Sequence, residues 1–384
     1  MAHYFLFPET DTTIYSQPDR KETNTGADEI LEIVKERGST DNVLYPSRIL
    51  IKFKNEDIQD LISNTIGSFT FNNSTKVNLQ LTAAEPKNLL ATVNLDLYAI
   101  SQSWDEGTGR YTNLPTSSNG ASWINRNNTT VATKWITSSF ASDTTGSINS
   151  ELITQGGGVW YNTSNFQATE QYLVGDSLDT NFDVHSIVKK WSGSLFAGSI
   201  YPDGIENNGF LIKKPETIET NTSHSFGELQ YFSVDTHTIH PPKLTFKWDD
   251  STYSDAYTGS AKQSGELSVS LYRNKKEYNQ NDIATFRVHV RDKYPNRTFT
   301  TTSNYLNVGY FTTASYYSIR DAHTEQEVIP FDDYTKMSAD ANGMFFKIYM
   351  NGLQPERYYR ILFKHKNGDG TVIYYDKYYF KVVR

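Results

Sequence analysis

Along most of the chain, apolar residues recur in short runs with a period of two, and clusters of Asn, Gly, Ser, Asp and Pro separate the runs. That is the pattern of half-buried strands joined by turns. Arg48–Phe53, Ala91–Tyr98 and Pro242–Trp248 are the clearest cases. In the second, Val93, Leu95 and Leu97 alternate with Asn94 and Asp96, which predicts a sheet with one dry and one wet face. A helical period occurs only twice. Asn55 precedes Ile58, Leu61 and Ile62, and Asp183 precedes Val184, Ile187, Val188 and Trp191; each predicts a short capped helix with one apolar stripe. The stripes are read as packing faces over the open end of a sandwich. Residues 112–130 and 137–166 read as polar loops, and such loops either carry binding or tolerate insertion. No repeat and no heptad run is present, which excludes solenoids and coiled-coil shafts.

Composition narrows the class. The 384 residues contain no Cys, so disulfide scaffolds, thiolate metal sites and thiol catalysis are excluded. The first residues carry no basic and apolar leader pattern, and no stretch is apolar enough to span a bilayer. The expectation is a chain made in a reducing cytoplasm and not inserted in a membrane. Residues 1–250 hold 18 Lys+Arg against 30 Asp+Glu, net −12, whereas residues 251–384 hold 18 against 14, net +4. An acidic front two-thirds argues against nucleic acid as a partner. The reversal also marks a domain boundary near 250, and 17 of the 26 Tyr lie beyond it. The polar stretch around 251–265 is read as a linker.

Candidate chemistry is sparse. Gly156-Gly157-Gly158 lacks the downstream Lys-Ser/Thr of a phosphate loop and reads as a flexible turn. His237 and His240, at i and i+3 on a strand-like segment, would face opposite ways and make a poor metal pair. Asp249, Asp250 and Asp255 have the oxygen ligands of a calcium site, but the solvated-linker reading is preferred. Asp105-Glu106 and Asp332-Asp333 are adjacent in sequence, which sends their carboxyls to opposite faces of a strand rather than across one cleft. No catalytic residue, metal ligand or cofactor-binding residue is therefore singled out, and the chain is not expected to be an enzyme. Trp104, Trp123, Trp135 and Trp160 lie in or beside the polar loops. Trp104 and Trp191 are assigned to the core. Trp123 and Trp160 are left between two roles, core plugs or exposed platforms for a sugar or a protein partner.

Eight motifs occur in one order over residues 10–248. They are Asp11-Thr-Thr-Ile-Tyr15, Asn24-x-Gly26, Arg48-x-Leu50-Ile51-x-Phe53, Val93-x-Leu95-x-Leu97-Tyr98, Trp104-x-Glu106-x-x-Gly109, Phe182-Asp183-Val184-x-x-Ile187-Val188-x-x-Trp191, Asn208-Gly209-Phe210 and Pro242-x-Leu244-x-Phe246. This order resembles the DNRLRE-type domain, a jelly-roll-like β-sandwich of bacterial surface proteins and phage structural proteins. Where that family follows the Phe of the third motif with Asp, this chain has Lys54. Regions 61–90 and 137–166 look inserted. Further on, Leu353-Gln-Pro355-Glu-Arg-Tyr-Tyr359-Arg-Ile361-Leu-Phe363 is similar to the tyrosine-corner strand of fibronectin type III domains, with Tyr359, Ile361 and Phe363 pointing inward. Asn367-Gly-Asp-Gly370 between alternating runs predicts a hairpin.

The expected fold is all-β: a jelly-roll-like sandwich over 1–250, a linker over 251–265 and an immunoglobulin-like sandwich over 266–384. Together the resemblances imply a tailed-phage virion component, an adaptor in the tail, baseplate, neck or fibre-attachment region. It would act by protein–protein contacts in a symmetric multicopy assembly, contacting other virion structural proteins. The alternative is a carbohydrate-binding module of a surface adhesin that meets a host-surface glycan through the loop aromatics.

Overall fold

The computed structural model describes residues 2–38, 43–89, 92–135, 156–161, 164–173, 175, 177–195, 204–221, 227–254, 266–272, 274–295, 299, 309–367 and 370–384. The protein is all-β, with antiparallel sheets and a few short helices. It divides into two compact units, Leu6–Asn72 with Lys76–Thr245, and Phe246–Arg384 with Met1–Phe5 and Asn73–Thr75.

The larger unit is built on a six-stranded sheet. Gln167–Leu173, Thr92–Ala99, Phe210–Lys213, Leu44–Lys52 and Thr10–Tyr15 follow one another across it, and Lys35–Arg37 pairs with Leu44–Lys52 as well. Every pairing in it is antiparallel. The central strand Phe210–Lys213 is buried along its whole length, so it takes apolar residues without alternation. In Thr92–Ala99, Leu95 and Leu97 are buried, Asp96 is half-buried and Asn94 is exposed, as the alternation predicts. Elsewhere in the unit Ile30–Ile33 pairs with Leu229–Phe232, and Lys76–Gln80 with Phe182–Asp183.

The expected helix after Asp183 is present as His185–Leu195, and Asp183 Oδ1 accepts the His185 N–H at 3.1 Å. Val184, Ile187, Val188 and Trp191 are all buried. The helix at Asn55 differs from expectation. It runs Asn55–Asp60 and continues as π-helix over Leu61–Ile66, and its N-cap is Lys54, with no side-chain capping bond. Lys54 is the position where the resembling family has Asp, and a lysine has no acceptor for an N-terminal N–H. Asn55 Oδ1 instead accepts from Asn207 Nδ2 at 2.8 Å. Ile58, Leu61 and Ile62 are buried as the stripe predicts.

Among the described residues, two sheets lie wholly in the smaller unit. One orders Leu267–Tyr272, Ile283–Asp292, Gly343–Tyr349 and Ser338–Asp340; the other orders Glu277–Asn279, Gly370–Val383, Tyr358–Asn367, Ser315–Asp321 and Glu327–Ile329. Inward residues of both, among them Phe286, Val288, Met344, Phe346, Tyr317, Ile319, Ile361 and Phe380, form one core. Tyr359, Ile361 and Phe363 point into it, and the Tyr359 hydroxyl donates back to the Gln354 carbonyl at 3.1 Å. Tyr358–Asn367 and Gly370–Val383 pair antiparallel with Asn367 opposite Gly370, which is the expected hairpin.

Two boundaries differ from the sequence reading. The larger unit ends at Thr245 rather than 250, and the first strand belongs with the smaller unit. Phe5 is the reason: it is buried in the smaller unit's core, so close to Gly352 that a Cβ there would lie 2.2 Å from the ring. Residues 251–254 are likewise part of that unit. Tyr253 packs on its core, its hydroxyl donates to the Phe311 carbonyl at 2.6 Å, and the Ala339 N–H reaches the Thr252 carbonyl at 2.8 Å. The rest of the expected linker, 255–265, lies outside the described residues.

Candidate interaction site

Three of the motifs meet at one place in the larger unit. Asn24 is fully buried, and its amide donates to the Glu106 and Ala121 carbonyls at 2.5 and 2.8 Å. Its Oδ1 accepts the N–H groups of Gly109 at 2.8 Å and Gly26 at 3.2 Å. One asparagine thereby ties three segments together, with all its polar atoms in use. The glycines follow from the closeness of the backbones: a Cβ on Gly109 would stand 2.2 Å from the Asn24 carbonyl oxygen. Glu106 Oε1 accepts the Asp11 N–H at 2.9 Å, and Asp11 Oδ2 accepts the Val234 N–H at 2.7 Å. Asp11 Oδ1 is buried and has no hydrogen-bond partner among the described residues. Burial pushes the Asp11 carboxyl well up, the Val234 bond opposes this, and the Glu106 and Asp235 charges add to the rise. Burial likewise pushes Glu106 up to about 7, with the charges of Asp235 and Glu9 adding.

This knot holds the start of the loop after Gly109, and beside it lies a cleft of about 380 Å³ lined by Tyr15, Asp28, Glu29, Ile30, Glu32, Glu36, Arg110, Tyr111 and Thr112. Strand alternation puts Glu32 there: Leu31 and Ile33 turn to the core, and Ile30 and Glu32 turn away. Neutral donors hold its carboxylates in place. Glu32 Oε2 accepts from the Tyr15 hydroxyl at 2.7 Å and Oε1 from Gln230 at 2.6 Å, Asp28 accepts the Tyr111 N–H at 3.0 Å, and Glu36 accepts from Gln17. The Tyr15 and Tyr111 rings lie 5.1 Å apart, and the Arg20 guanidinium sits 3.9 Å above Tyr111. Burial first, then Glu32, raises Asp28, with Arg110 and Arg20 opposing; burial and the Glu32 charge raise Tyr15. The cleft is thus an anionic socket with an aromatic wall.

In the smaller unit, the solvent face of the five-stranded sheet has the opposite character. Along Tyr358–Asn367, Tyr358, Arg360, Leu362, Lys364 and Lys366 face away from the core that takes Tyr359, Ile361 and Phe363, but Leu362 and the neighbouring Ser318 and Tyr316 are buried, so only part of this face meets solvent. Tyr379 lies opposite Arg360, and Tyr316 lies opposite Lys364. Tyr358, Tyr375 and Tyr379 are 59%, 58% and 39% exposed, unusual for side chains of this size. Arg360 is fixed by Glu325 at 2.7 Å and by the Tyr375 carbonyl at 2.9 Å. The Lys364 ammonium lies 4.8 Å over Tyr316 and 4.7 Å over Phe331, and Lys366 lies 5.8 Å over Tyr316. Among the described residues neither lysine is ion-paired. Of the acids whose charges act on Lys364, Asp332 is engaged by His3 and Lys247 and Glu327 by Arg320, and Asp333 is the third.

The loop tryptophans are elsewhere than on a surface. Trp104, Trp123, Trp135 and Trp160 are 2–4% exposed and form one core with Ile14, Leu50, Ile100, Val159 and Leu211. Trp123 and Trp160 are drawn in by Arg48, whose guanidinium lies 4.6 and 5.2 Å from their rings. Arg48 itself is fully buried and forked onto Glu219, Nε to Oε1 at 3.1 Å and Nη2 to Oε2 at 2.8 Å, while Lys213 donates to Oε2 at 3.0 Å. The remaining guanidinium nitrogen donates to the Gly157 carbonyl. The triple glycine is therefore a seat and not a flexible turn. All three residues have φ between +81° and +109°, and a Cβ on Gly157 would lie 2.4 Å from Arg48 Nη1. Residues 136–155, most of the second expected loop, lie outside the described residues.

The other sequence candidates are not brought together. His237 is largely exposed near Glu29 at 3.9 Å, and His240 stacks on Phe232. The segment between them is a bend rather than a strand, because Thr236 and Thr238 hydroxyls accept N–H groups two residues on. Asp249 Oδ1 accepts from Ser251, and Asp255 lies outside the described residues. Among the described residues no group of three His, Asp or Glu is placed to hold a metal. Also among them, no helix is long and apolar enough to cross a membrane. Sequence reasoning missed the cleft. Its one visible signal is the even spacing of Asp28, Ile30 and Glu32, an acidic face on a strand. No known family profile and no curated protein sequence matches the chain.

Proposed function

We propose that the chain is a structural component of a tailed-phage virion that works through protein–protein contacts, as an adaptor in the tail, baseplate, neck or fibre-attachment region. The tyrosine- and arginine-bearing sheet face of the smaller unit carries this reading. Tyr and Arg are the residues on which interface energy concentrates, and a row of half-exposed tyrosines on rigid strands loses little side-chain entropy on binding. The burial of Trp104, Trp123, Trp135 and Trp160 agrees, because it removes them as exposed platforms for a sugar. The motif order that resembles the DNRLRE-type domain supports the same reading. A carbohydrate-binding module is the second reading, and it now rests on Tyr111 in the cleft, since Trp123, Trp160 and Tyr15 are buried. Mass spectrometry of purified particles of the phage that encodes the chain tests the proposal. The expected result is a virion protein in several copies per particle, and its absence from intact particles overturns the reading.

A further inference from the structure

We propose that the anionic cleft of the larger unit receives the basic tyrosine face of the smaller unit of a second copy, so that copies join head to tail. The inference rests on the protein–protein reading above and names the partner. Charge complementarity carries it. The larger unit holds 17 Lys+Arg against 28 Asp+Glu, net −11, and the smaller 19 against 16, net +3. Locally the contrast is sharper. The cleft gathers Asp28, Glu29, Glu32 and Glu36 against the lining Arg110 and the nearby Arg20. Among the described residues, Asp28, Glu32 and Glu36 have hydrogen bonds from neutral donors and no ion pair. Their charge is held in place and is only partly offset by Arg110 and Arg20. The face of the smaller unit sets Lys364 and Lys366 two residues apart on one strand, over Tyr316, with no ion pair among the described residues.

The cleft has the volume of a small-ligand pocket, enough for one or two extended lysine side chains, and Tyr111 already seats one cation. Two different surfaces meeting make a heterologous contact, which closes into a ring or runs on as a filament. A self-complementary contact of the cleft with itself is disfavoured by like charge.

Sedimentation velocity on the full chain tests this, over about 1–100 µM at roughly 0.05 M and roughly 0.5 M salt. Association at low salt is expected, weakening by at least roughly tenfold at high salt. Glu29→Lys with Glu36→Lys reverses the cleft, and Lys364→Glu with Lys366→Glu reverses the face. Each variant alone should stay monomeric, and an equimolar mixture should associate, because each retains the surface the other lost. Circular dichroism melts check folding, and if a reversal lowers the melting temperature, the Gln versions of the same positions replace it and should weaken association by a smaller factor. A wild-type chain that is monomeric throughout overturns the inference, as do variants that associate like wild type or a mixture that stays monomeric. So does a glycan-array ligand whose binding to a monomeric chain is lost in Tyr111→Ala. Any of these leaves the virion reading standing if the chain is found in particles, and its absence from particles removes that reading while leaving self-association to be judged on its own data.

Discussion

Replacing Glu219 with Gln should unfold the larger unit at a markedly lower temperature. The carboxylate accepts two bonds from Arg48 and one from Lys213, and all three side chains are at most 1% exposed. Burial pushes the Glu219 carboxyl up, but Arg48 and Lys213 outweigh it, and the group is held below the usual carboxylate range. A neutral amide at this position would leave two buried cations with no counter-charge and turn one N–H toward them. Removing one partner of a buried pair costs about 3–5 kcal/mol. For a unit of this size each kcal/mol moves the melting temperature by about 2–4 °C, so a drop of roughly 10 °C is expected.

Circular dichroism melts measure the loss, and tryptophan emission reports its route. Arg48 lies between Trp123 and Trp160, so a loosened guanidinium should let water reach both rings and shift emission to the red. The folded-state pKa of Glu219 is depressed, so its contribution is complete above the ordinary Glu range and is lost as pH falls through the lowered value. Glu219→Gln should remove that part of the acid sensitivity. Replacing the whole cluster by Arg48→Met, Lys213→Met and Glu219→Leu should recover much of the loss, since burying ions is itself costly. A melting temperature within about 2 °C of wild type for Glu219→Gln refutes the reasoning, because it would mean the cluster is solvated.

Three further outcomes follow from other places in the fold. Glu106 is raised to about 7, so the folded unit binds its proton more tightly than the unfolded chain does. The contribution of Glu106 should therefore be complete below the ordinary Glu pKa and be lost as pH rises to about 7, and Glu106→Gln, which keeps an acceptor for Asp11, should flatten that part of a melting-temperature profile. Gly157→Ala adds a Cβ 2.4 Å from Arg48 and a strained left-handed φ of +81°, and equilibrium urea unfolding should show a loss of at least about 1–3 kcal/mol. Tyr359→Phe removes one hydrogen bond to the Gln354 carbonyl and should cost the smaller unit about 1 kcal/mol in the same assay, leaving the larger unit unchanged.

What could be read in advance was local. The alternation of Val93, Leu95 and Leu97, the stripe from Val184 to Trp191, and the Tyr359 strand each depend on residues within a few positions of one another, and each is found as read. What could not be read depends on separation. Arg48 and Glu219 are 171 residues apart, and nothing near either says that the other is its counter-ion. The polar composition of the loops concealed Trp123 and Trp160, because a loop rich in Ser, Asn and Gly is ordinarily solvent-facing. Here a buried cation supplies the reason for their burial, with the glycines allowing the approach. Phe5 is a similar case: it is one aromatic in a short first strand, and only the core it enters shows which unit it serves.

The placement of the cleft follows from the same long-range logic. Asn24 fixes Gly109, and the next residues, Arg110 to Thr112, are the cleft's wall. If the cleft is the proposed contact, Asn24 positions its wall without lining it, which separates positioning from recognition at this site. The two roles can be told apart. Asn24→Ala leaves buried N–H and carbonyl groups of Gly109, Glu106 and Ala121 unpaired, at about 1–3 kcal/mol for each orphaned group, so it should lower stability and abolish self-association together. Glu29→Gln, on a half-exposed side chain, should weaken self-association at an unchanged melting temperature. If Asn24→Ala destabilises the unit yet leaves the association constant of the folded fraction at its wild-type value, the knot does not position the wall, and the cleft's shape must come from the strands Thr10–Tyr15 and Ile30–Ile33 alone.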